Sequence, residues 1–492
     1  MNNSTNRPAR SAPAHALPRR RVLKVAGTTA LAASAGVVGA NLASASSSSD
    51  DSAGKGSYDA IVIGAGFAGV TAARELRAKG LRPLILEARN RIGGRTWTAD
   101  FNGVTVEMGG EAVDEKQPYV WNEVKRYSTE LATGVGADRY YFPKDGGFAP
   151  VPTADVIPRL KSLFSPMFDG SKDYFPRPYE PLYRADLLQD LDKLSMRDRL
   201  NQLRLSPEDE SWINGATGGL SGGSSTRGAF TMLAQSWALS GYTFEGYLSI
   251  NTYHPKLGTG QLLQNMLKDA AADLRLASPV TRIEQSNGRV RVTIRSGQVF
   301  TAPVAVLAVP VNIWKTISFS PALPSEYQSA SKAGMGVPNV QKLWLHVKGD
   351  TGLFATNPAE GTRLGAVRPH ATLPDGGTLM FGFAYDPTLD CSDPAVVQSE
   401  LRKIVPEVEV VAAKAQSWAA DPFSQGGWAC RHPGELTGPF RAIQQPQGRI
   451  VFAGSDIANG WSGYIDGAVE SGFTAAKQAV AIAAGTTAAA AR

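Results

Sequence analysis

The first strongly patterned part of the chain alternates strand, helix and strand. Residues 58–63 form a short apolar run rich in β-forming residues, and residues 70–79 carry apolar positions at helical spacing up to Gly80. A second apolar run, residues 83–86, follows and ends in Glu87. Two strands separated by one helix indicate a βαβ unit, in which the strands lie parallel and side by side.

Other parts of the chain show separate strand patterns. Runs rich in β-forming residues lie at residues 343–347 and 378–384. A further apolar strand is predicted at residues 449–453, directly before a glycine. Residues 133–200 are instead rich in proline and aromatic side chains and contain no nucleotide-binding motif. No internal repeat is visible. This mixture favours an α/β protein. The length of 492 residues predicts two domains or one large two-lobed fold.

The composition is that of a globular enzyme. The 492 residues are 43% hydrophobic and 19% charged, which excludes a mostly disordered, collagen-like or disulfide-scaffold protein. The net charge of +6 comes from six bases and no acid in residues 1–45, and the rest of the chain holds 44 bases and 44 acids. A nucleic-acid partner is therefore not expected. Two cysteines, Cys391 and Cys430, leave a single disulfide open as an alternative.

Residues 1–45 have the order of an export signal. The pair Arg19-Arg20 precedes a mildly apolar run over residues 25–40, and residues 43–45 (Ala-Ser-Ala) form a small-residue cleavage site. The basic pair resembles a bacterial twin-arginine signal. The apolar run is too short and too rich in small residues for a membrane span, and residues 46–56 form a polar linker. We expect an exported protein, periplasmic or secreted, without a stable membrane anchor.

The βαβ unit carries a dinucleotide-binding fingerprint. In the Gly-x-Gly-x-x-Gly run, Gly64 permits the tight turn, Gly66 lets the backbone approach a pyrophosphate, and Gly69 lets the helix pack on the strand. The helix N-terminus would supply free backbone N–H groups to the phosphate. Glu87 would accept a hydrogen bond from a ribose hydroxyl. The combination predicts a dinucleotide site but does not distinguish NAD from FAD.

Segments near both ends of this region resemble the flavin monoamine oxidase family. Residues 87–96 (Glu-Ala-Arg-Asn-Arg-Ile-Gly-Gly-Arg-Thr) are similar to the segment that continues the FAD cradle in that family. Residues 449–472 are similar to its second FAD signature. Three further segments keep the family's order: residues 258–263, 276–283 and 304–310. The resemblance spans residue 57 to about residue 484.

The resemblance implies an FAD cofactor held without a covalent bond. Arg95 would pair with the pyrophosphate, Asp456 would hold the ribityl or pyrophosphate part, and Val280 would place its backbone against adenine. In members with covalent flavin a cysteine occupies the position of Gly427, and Cys430 lies three positions beyond it. The residues implied in cofactor binding are Gly64, Gly66, Ala68, Gly69, Glu87, Ala88, Arg89, Gly94, Arg95, Gly110, Glu111, Val280, Gly454, Asp456, Tyr464, Ile465 and Ala468.

The resemblance also implies the architecture. A Rossmann-like FAD-binding lobe would stand beside a discontinuous substrate-binding lobe of mixed sheet and helices, as in amine oxidases. The FAD-binding domain would comprise residues 57–132, 262–342 and 418–486. The substrate-binding domain would comprise residues 133–261 and 343–417.

The implied reaction is the FAD-dependent oxidation of an amine. Hydride would pass from the carbon alpha to nitrogen to flavin N5 and the imine would hydrolyse, while O2, giving H2O2, or a redox protein would reoxidise the flavin. Lys342, between apolar strand residues, matches the family's lysine that is bonded through water to flavin N5. Trp428 and Tyr464 match the two aromatic walls that orient a neutral amine. The alternatives are a surface lysine on an edge strand and two ordinary core aromatics.

The resemblance narrows the substrate. Family L-amino-acid oxidases carry an arginine at the position of Ala112, which argues against amino acids. Asp114 or Glu115 are candidates for receiving the distal ammonium of a polyamine or diamine, with a solvated acidic loop as the alternative. Residues 175–181 and Trp428 look most like the exported bacterial nicotine oxidoreductase branch, which favours a cyclic or aryl-substituted amine.

Two other functions stay open at this level. A flavin desaturase or porphyrinogen-type oxidase acting on C–C bonds would share the nucleotide motifs but does not need Lys342 with two aromatic walls. The second alternative is a noncatalytic flavin-binding scaffold.

No metal site is expected, because the five histidines are scattered without ligand spacing: they are His15, His254, His346, His370 and His432. The sequence does not decide the oligomeric state, for which a homodimer is one option.

Overall fold

The computed structural model describes residues 57–485, so the predicted export signal and linker lie outside the described range. Strands within this range are β1 (Ala60–Ile63), β2 (Pro83–Leu86), β3 (Thr98–Phe101), β4 (Val104–Glu107), β5 (Leu131–Thr133), β6 (Arg139–Lys144), β7 (Gly147–Pro152), β8 (Tyr253–Pro255), β9 (Asp273–Arg275), β10 (Val280–Ser286), β11 (Arg289–Ile294), β12 (Val299–Ala302), β13 (Val304–Leu307), β14 (Ser318–Ser320), β15 (Gln341–Val347), β16 (Phe354–Thr356), β17 (Leu364–Thr372), β18 (Thr378–Ala384), β19 (Val410–Ser417) and β20 (Ile450–Phe452). Helices are α1 (Phe67–Ala78), α2 (Pro118–Arg126), α3 (Thr153–Phe164), α4 (Ser171–Tyr174), α5 (Ala185–Leu191), α6 (Met196–Leu203), α7 (Pro207–Leu220), α8 (Phe230–Leu239), α9 (Phe244–Ser249), α10 (Thr259–Ala270), α11 (Val311–Trp314), α12 (Ser325–Ala333), α13 (Pro394–Leu401) and α14 (Ile465–Ala483). Short 3₁₀ turns lie at Ser165–Phe168, Gly349–Thr351, Ala442–Gln444 and Ser455–Ile457.

A parallel sheet of five strands contains the βαβ unit. The strand order is β20-β13-β1-β2-β9, and each neighbouring pair is parallel. Strands β1, β2 and β13 are fully buried, because alanine-rich faces of α1 and α14 pack against them. Small side chains let helix and sheet approach closely. The predicted βαβ unit is confirmed, although α1 begins at Phe67, directly after the glycine turn, rather than at residue 70.

A second, antiparallel sheet places Lys342 on an interior strand. Its order is β17-β18-β15-β19, so β15 is paired on both sides. Lys342 lies in β15 and is 3% exposed. The alternative of a surface lysine on an edge strand is therefore wrong. The strand patterns predicted at residues 343–347 and 378–384 are confirmed as β15 and β18.

The remaining sheets and helices complete a mixed α/β fold. Further described sheets join β12-β11-β10-β14, β16-β6-β7, β3-β4 and β5-β8. Both cysteines, Cys391 and Cys430, are buried free thiols, so the disulfide alternative is not formed. Among the described helices none is long and apolar enough to cross a bilayer. The α/β class is confirmed, and the limits of the two domains stay a prediction.

Candidate active site

A cavity of about 1170 Å³ connects the parallel sheet to the antiparallel sheet that contains β15. At one end it is lined by residues at the carboxyl ends of β1, β2, β13 and β20, where parallel α/β sheets bind ligands. At the other end it is lined by side chains of β15, β17, β18, α3, α8 and α9. Small-molecule sites occupy roughly 300–1,000 Å³. The cavity therefore has room for a dinucleotide together with a small second ligand.

Glycine shapes the turn between β1 and α1. Gly64 has a φ of +106°, and a Cβ there would lie 2.6 Å from the carbonyl oxygen of Ala308. A Cβ at Gly69 would lie 2.0 Å from the carbonyl oxygen of Gly64, so only glycine lets α1 pack on the turn. Gly66 and Ala68 line the cavity at the start of α1. The first N–H groups of a helix have no intrahelical partner, and they favour an anion there.

Glu87 and Arg89 continue this wall after β2. The buried Glu87 carboxylate accepts hydrogen bonds of 2.8 Å from the backbone N–H groups of Ala65 and Arg89. Arg89 forms an ion pair of 2.5 Å with Asp421. Both Glu87 and Arg89 line the cavity. Glu87 thus ties the glycine turn to β2, and its contact with a ribose stays a prediction.

Arg95 is held in place by the C-terminal segment. Its guanidinium donates to the Gly427 carbonyl oxygen at 2.8 Å and to Ser455 Oγ at 2.9 Å, and it pairs with Asp456 at 2.5 Å. Asp456 is 1% exposed, and its other carboxylate oxygen accepts from the backbone N–H of Val311 at 3.0 Å. Arg95 lines the cavity, whereas Asp456 does not. Both oxygens of Asp456 are engaged by described residues, so Asp456 positions Arg95, and its contact with the cofactor stays a prediction.

The other predicted cofactor residues converge on the cavity from separate segments. Two predicted cofactor residues, Gly69 and Asp456, do not line the cavity. The predicted cofactor residues that line it are Gly64, Gly66, Ala68, Glu87, Ala88, Arg89, Gly94, Arg95, Gly110, Glu111, Val280, Gly454, Tyr464, Ile465 and Ala468. Their individual contacts with FAD stay predictions.

Lys342 donates two hydrogen bonds in the cavity wall. Its Nζ lies 2.9 Å from the carbonyl oxygen of Gly109 and 2.9 Å from Glu111 Oε2. The ammonium also lies 5.2 Å from the ring centre of Trp344 and 5.5 Å from that of Phe381. A buried ammonium requires such partners, because desolvation of an isolated charge is costly. Glu111, predicted to bind cofactor, is thus the counter-ion of Lys342.

Trp428 and Tyr464 both face the cavity, unlike ordinary core aromatics. The Trp428 indole N–H donates to the Leu220 carbonyl oxygen at 2.8 Å, and its ring meets Phe383 edge-on with 5.3 Å between ring centres. Tyr464 packs edge-on against Trp461 at 5.1 Å, and burial raises the pKa of its hydroxyl to about 12. The two rings are therefore held in fixed orientations and carry no charge near neutral pH. Such rings can border a site for a neutral organic ligand.

The position of the flavin-linking cysteine is closed to any side chain. A Cβ at Gly427 would lie 2.4 Å from Val340 Cγ1 and 2.9 Å from Val337 Cγ2. Cys430 lines the cavity, and burial raises the pKa of its thiol to about 12. A neutral thiol is a weak nucleophile. This geometry fits a cofactor that is not covalently bound.

Two histidines that are far apart in the sequence meet in the cavity. His254 on β8 and His370 on β17 line the cavity with 4.6 Å between their ring centres. Burial lowers the pKa of both imidazoles, to about 4 for His370, so both are neutral at neutral pH. No local sequence signal marks the pair, because β8 and β17 belong to different sheets.

The acids proposed for a second ammonium do not reach the cavity. Asp114 is buried outside it, and its Oδ1 accepts hydrogen bonds from the backbone N–H and Nζ of Lys116 at 3.0 Å and 3.3 Å. Glu115 is exposed and is not part of the lining. Among the described residues, the acids that line the cavity are Glu87 and Glu111, which are both engaged. This geometry does not support the candidate diamine contact, and the alternative of a solvated acidic position fits Glu115 but not the buried Asp114.

Comparison with known proteins shows similarity over most of the chain. The family described as flavin containing amine oxidoreductase matches residues 67–480. Nicotine dehydrogenase of Pseudomonas putida is 35% identical over 427 residues, covering 86% of this chain and 88% of that protein. Pseudooxynicotine dehydrogenase of a Pseudomonas species is 36% identical over 429 residues, covering 84% of each chain. The chain therefore belongs to the flavin-containing amine oxidoreductase family and is an FAD-dependent amine-oxidising enzyme.

Solved structures share the fold. A redesigned putrescine oxidase superposes with a TM-score of 0.74 at 22% identity, covering 86% of this chain and 99% of that chain. Cyclohexylamine oxidase from Brevibacterium oxydans superposes with a TM-score of 0.71 at 20% identity, covering 87% and 99%. At this identity the likeness supports the architecture and not a particular substrate.

Proposed function

We propose that this enzyme oxidises a cyclic or aryl-substituted secondary or tertiary amine in its neutral form. The observation that carries the proposal is the cavity beyond the glycine turn. Its walls combine Trp428 and Tyr464 with apolar side chains of α3, α8 and β18, and Glu111, the acid at this end, is paired with Lys342. A neutral, ring-bearing amine matches these surfaces by shape and polarity. Nicotine, named in one relative, is an amine of this class.

The residues at the glycine-turn end fit FAD. The backbone at Gly64 and Gly66 and the start of α1 form a surface for the pyrophosphate, and the guanidinium groups of Arg89 and Arg95 line the same region. We infer noncovalent binding, because Gly427 has no room for a linking side chain. When bound, FAD supplies the two-electron acceptor for the hydride of the amine.

The residues at the other end orient the amine. Trp428 and Tyr464 would place the amine between two uncharged rings and exclude water from it. Lys342 has three N–H donors, of which the Gly109 carbonyl and Glu111 take two. The third donor can hold a water molecule in the cavity, which is consistent with the water-bridging role that the family resemblance implies.

The electron acceptor and the location are part of the proposal. We propose O2 or a redox protein as the acceptor, since relatives are named both dehydrogenase and oxidase. We propose export through the Arg19-Arg20 signal, on the sequence pattern alone.

Anaerobic mixing of the holoenzyme with an amine panel tests the function. We expect nicotine and related cyclic or aryl-substituted amines to bleach the flavin absorption band at about 450 nm, a property of the cofactor. Trp428→Ala should slow this reduction at least tenfold. Tyr183→Ala, which alters an aromatic residue that is 49% exposed and outside the cavity, is the control and should not slow it. Equal bleaching by putrescine, or none by any amine, would contradict the proposal.

A further inference from the structure

Arg368 is a guanidinium in the cavity wall without a carboxylate partner among the described residues. It lies on β17 two residues before His370, and both residues line the cavity. Pro369 between them is buried and also lines it, whereas Val367 is buried in the hydrophobic core outside the lining. The recorded contact of the Arg368 guanidinium is with the Tyr140 ring, at 5.6 Å from its centre. A partly buried guanidinium is thus directed at a ligand cavity with its hydrogen-bond donors available.

Other cations in the cavity wall differ from Arg368. Three of them already have acids, in the pairs Arg89–Asp421, Arg95–Asp456 and Lys342–Glu111. Arg295 also lacks a recorded acid, but it is exposed and lies beside Phe423 near Pro279, at the nucleotide end. Around the amine-binding end, the Lys342–Glu111 pair is neutral overall. Arg368 therefore gives this end of the cavity a net positive charge.

Two neutral imidazoles extend the donor set of Arg368. His370 and His254 lie 4.6 Å apart, and neither ring has a hydrogen bond to a described residue. His370 is held edge-on against Trp344 at 4.8 Å between ring centres. Each neutral imidazole offers one N–H donor and one acceptor nitrogen. Such groups can complete the hydrogen bonds of an acceptor that Arg368 binds.

We propose that Arg368, with His370 and His254 beside it, forms an anion subsite for a carboxylate that the amine substrate carries away from the oxidised carbon. The inference rests on the proposed function, because it names a second functional group of the same substrate. The planar guanidinium matches a carboxylate with two parallel hydrogen bonds. The same positive charge repels a second ammonium, which disfavours diamines. Arg368 is in this view a specificity-determining residue.

Paired ligands test the subsite on the holoenzyme. An aryl-substituted cyclic amine is compared with its ring-carboxylate analogue by kcat/KM, and nicotinate is compared with nicotinamide by calorimetric Kd. We expect at least a tenfold preference for the carboxylate member of each pair. Arg368→Met should reduce both ratios to about one. Arg368→Lys keeps the positive charge but loses the two parallel hydrogen bonds of the guanidinium, so it should retain part of each preference. Arg289→Met removes an exposed guanidinium on β11 outside the cavity and should leave both ratios unchanged.

The outcomes separate this inference from the proposed function. Reduction of the flavin by both amines without a carboxylate preference overturns the subsite and leaves amine oxidation standing. A preference that persists in Arg368→Met assigns the anion to another group and also overturns the subsite. Failure of every amine to reduce the flavin overturns both proposals. Retained FAD in Arg368→Met shows that the lost ratio is not a folding defect.

Discussion

Replacing Lys342 by methionine removes the ammonium from its pair with Glu111 and leaves that carboxylate without its cation. Methionine has a similar length and is apolar, so it fills the space between Trp344 and Phe381 without a buried charge. Because Lys342 does not touch the glycine turn or α1, the variant should fold and retain FAD. The expected losses are in stability and in turnover.

The magnitude follows from the ion-pair geometry. At 2.9 Å and an effective dielectric constant of about 20, the Coulomb attraction is about 6 kcal/mol before desolvation is subtracted. Breaking a fully buried pair costs about 3–5 kcal/mol. Here the Glu111 side chain is 15% exposed, so solvent reduces this to about 2–3 kcal/mol. The double variant Lys342→Met/Glu111→Gln has no unpaired charge, and we expect it to recover about 2 kcal/mol relative to the sum of the single variants.

Thermal unfolding of the wild type, Lys342→Met, Glu111→Gln and the double variant, each with FAD bound, measures the coupling energy. Anaerobic stopped flow measures the two flavin half-reactions. A rate decrease of at least tenfold, about 1.4 kcal/mol in barrier, in reduction by amine would place Lys342 in the hydride-transfer step or its water network. A decrease confined to reoxidation would place it in the acceptor step. Additive stability losses would refute the ion-pair argument, and unchanged rates in both half-reactions would refute a catalytic role.

Three further predictions concern the cofactor, pH and export. Hot acid or denaturant should release yellow FAD into the supernatant, since Gly427 cannot form a thioether, and flavin that stays with the precipitate would disprove this. Burial raises the pKa of Asp466 and Glu470 in α14 to about 7, so the folded state favours their protonated forms. Their stabilising contribution is complete below about pH 4 and is lost as the pH rises through about 7. Asp466→Asn should flatten the fall in melting temperature over that range, and an unchanged slope would count against these shifts. In a bacterial host, Arg19→Lys with Arg20→Lys should abolish export measured by cell fractionation, and full export of the double variant would indicate another route.

Local sequence pattern was sufficient for the βαβ unit and for single strands elsewhere in the fold. The βαβ unit, the glycine turn and the strands at β15 and β18 were predictable, because each depends on backbone periodicity and on residues a few positions apart. Gly69 illustrates this, since its requirement arises from the carbonyl of Gly64 within the same turn. The resemblance to flavin monoamine oxidases added the second FAD signature near the C-terminus. Periodicity alone could not link that segment to the glycine turn near residue 64.

The partners of the charged side chains were decided by the tertiary structure. Glu111 and Lys342 are 231 residues apart, and Arg95 and Asp456 are 361 apart, so no local signal indicates that they pair. The sequence indicated a cofactor role for Asp456 but not that its oxygens accept hydrogen bonds from Arg95 and Val311. An ion pair depends on which elements pack together.

At the substrate end of the cavity, too, no local sequence signal indicated which side chains lie together. His254 and His370 belong to strands of different sheets, and Arg368 reaches the cavity because this part of β17 forms its wall. Sequence determined the residue types and the local elements at these positions. Tertiary packing decided which of those side chains share one cavity and which are satisfied behind its wall, because desolvation and pairing are set by three-dimensional neighbours.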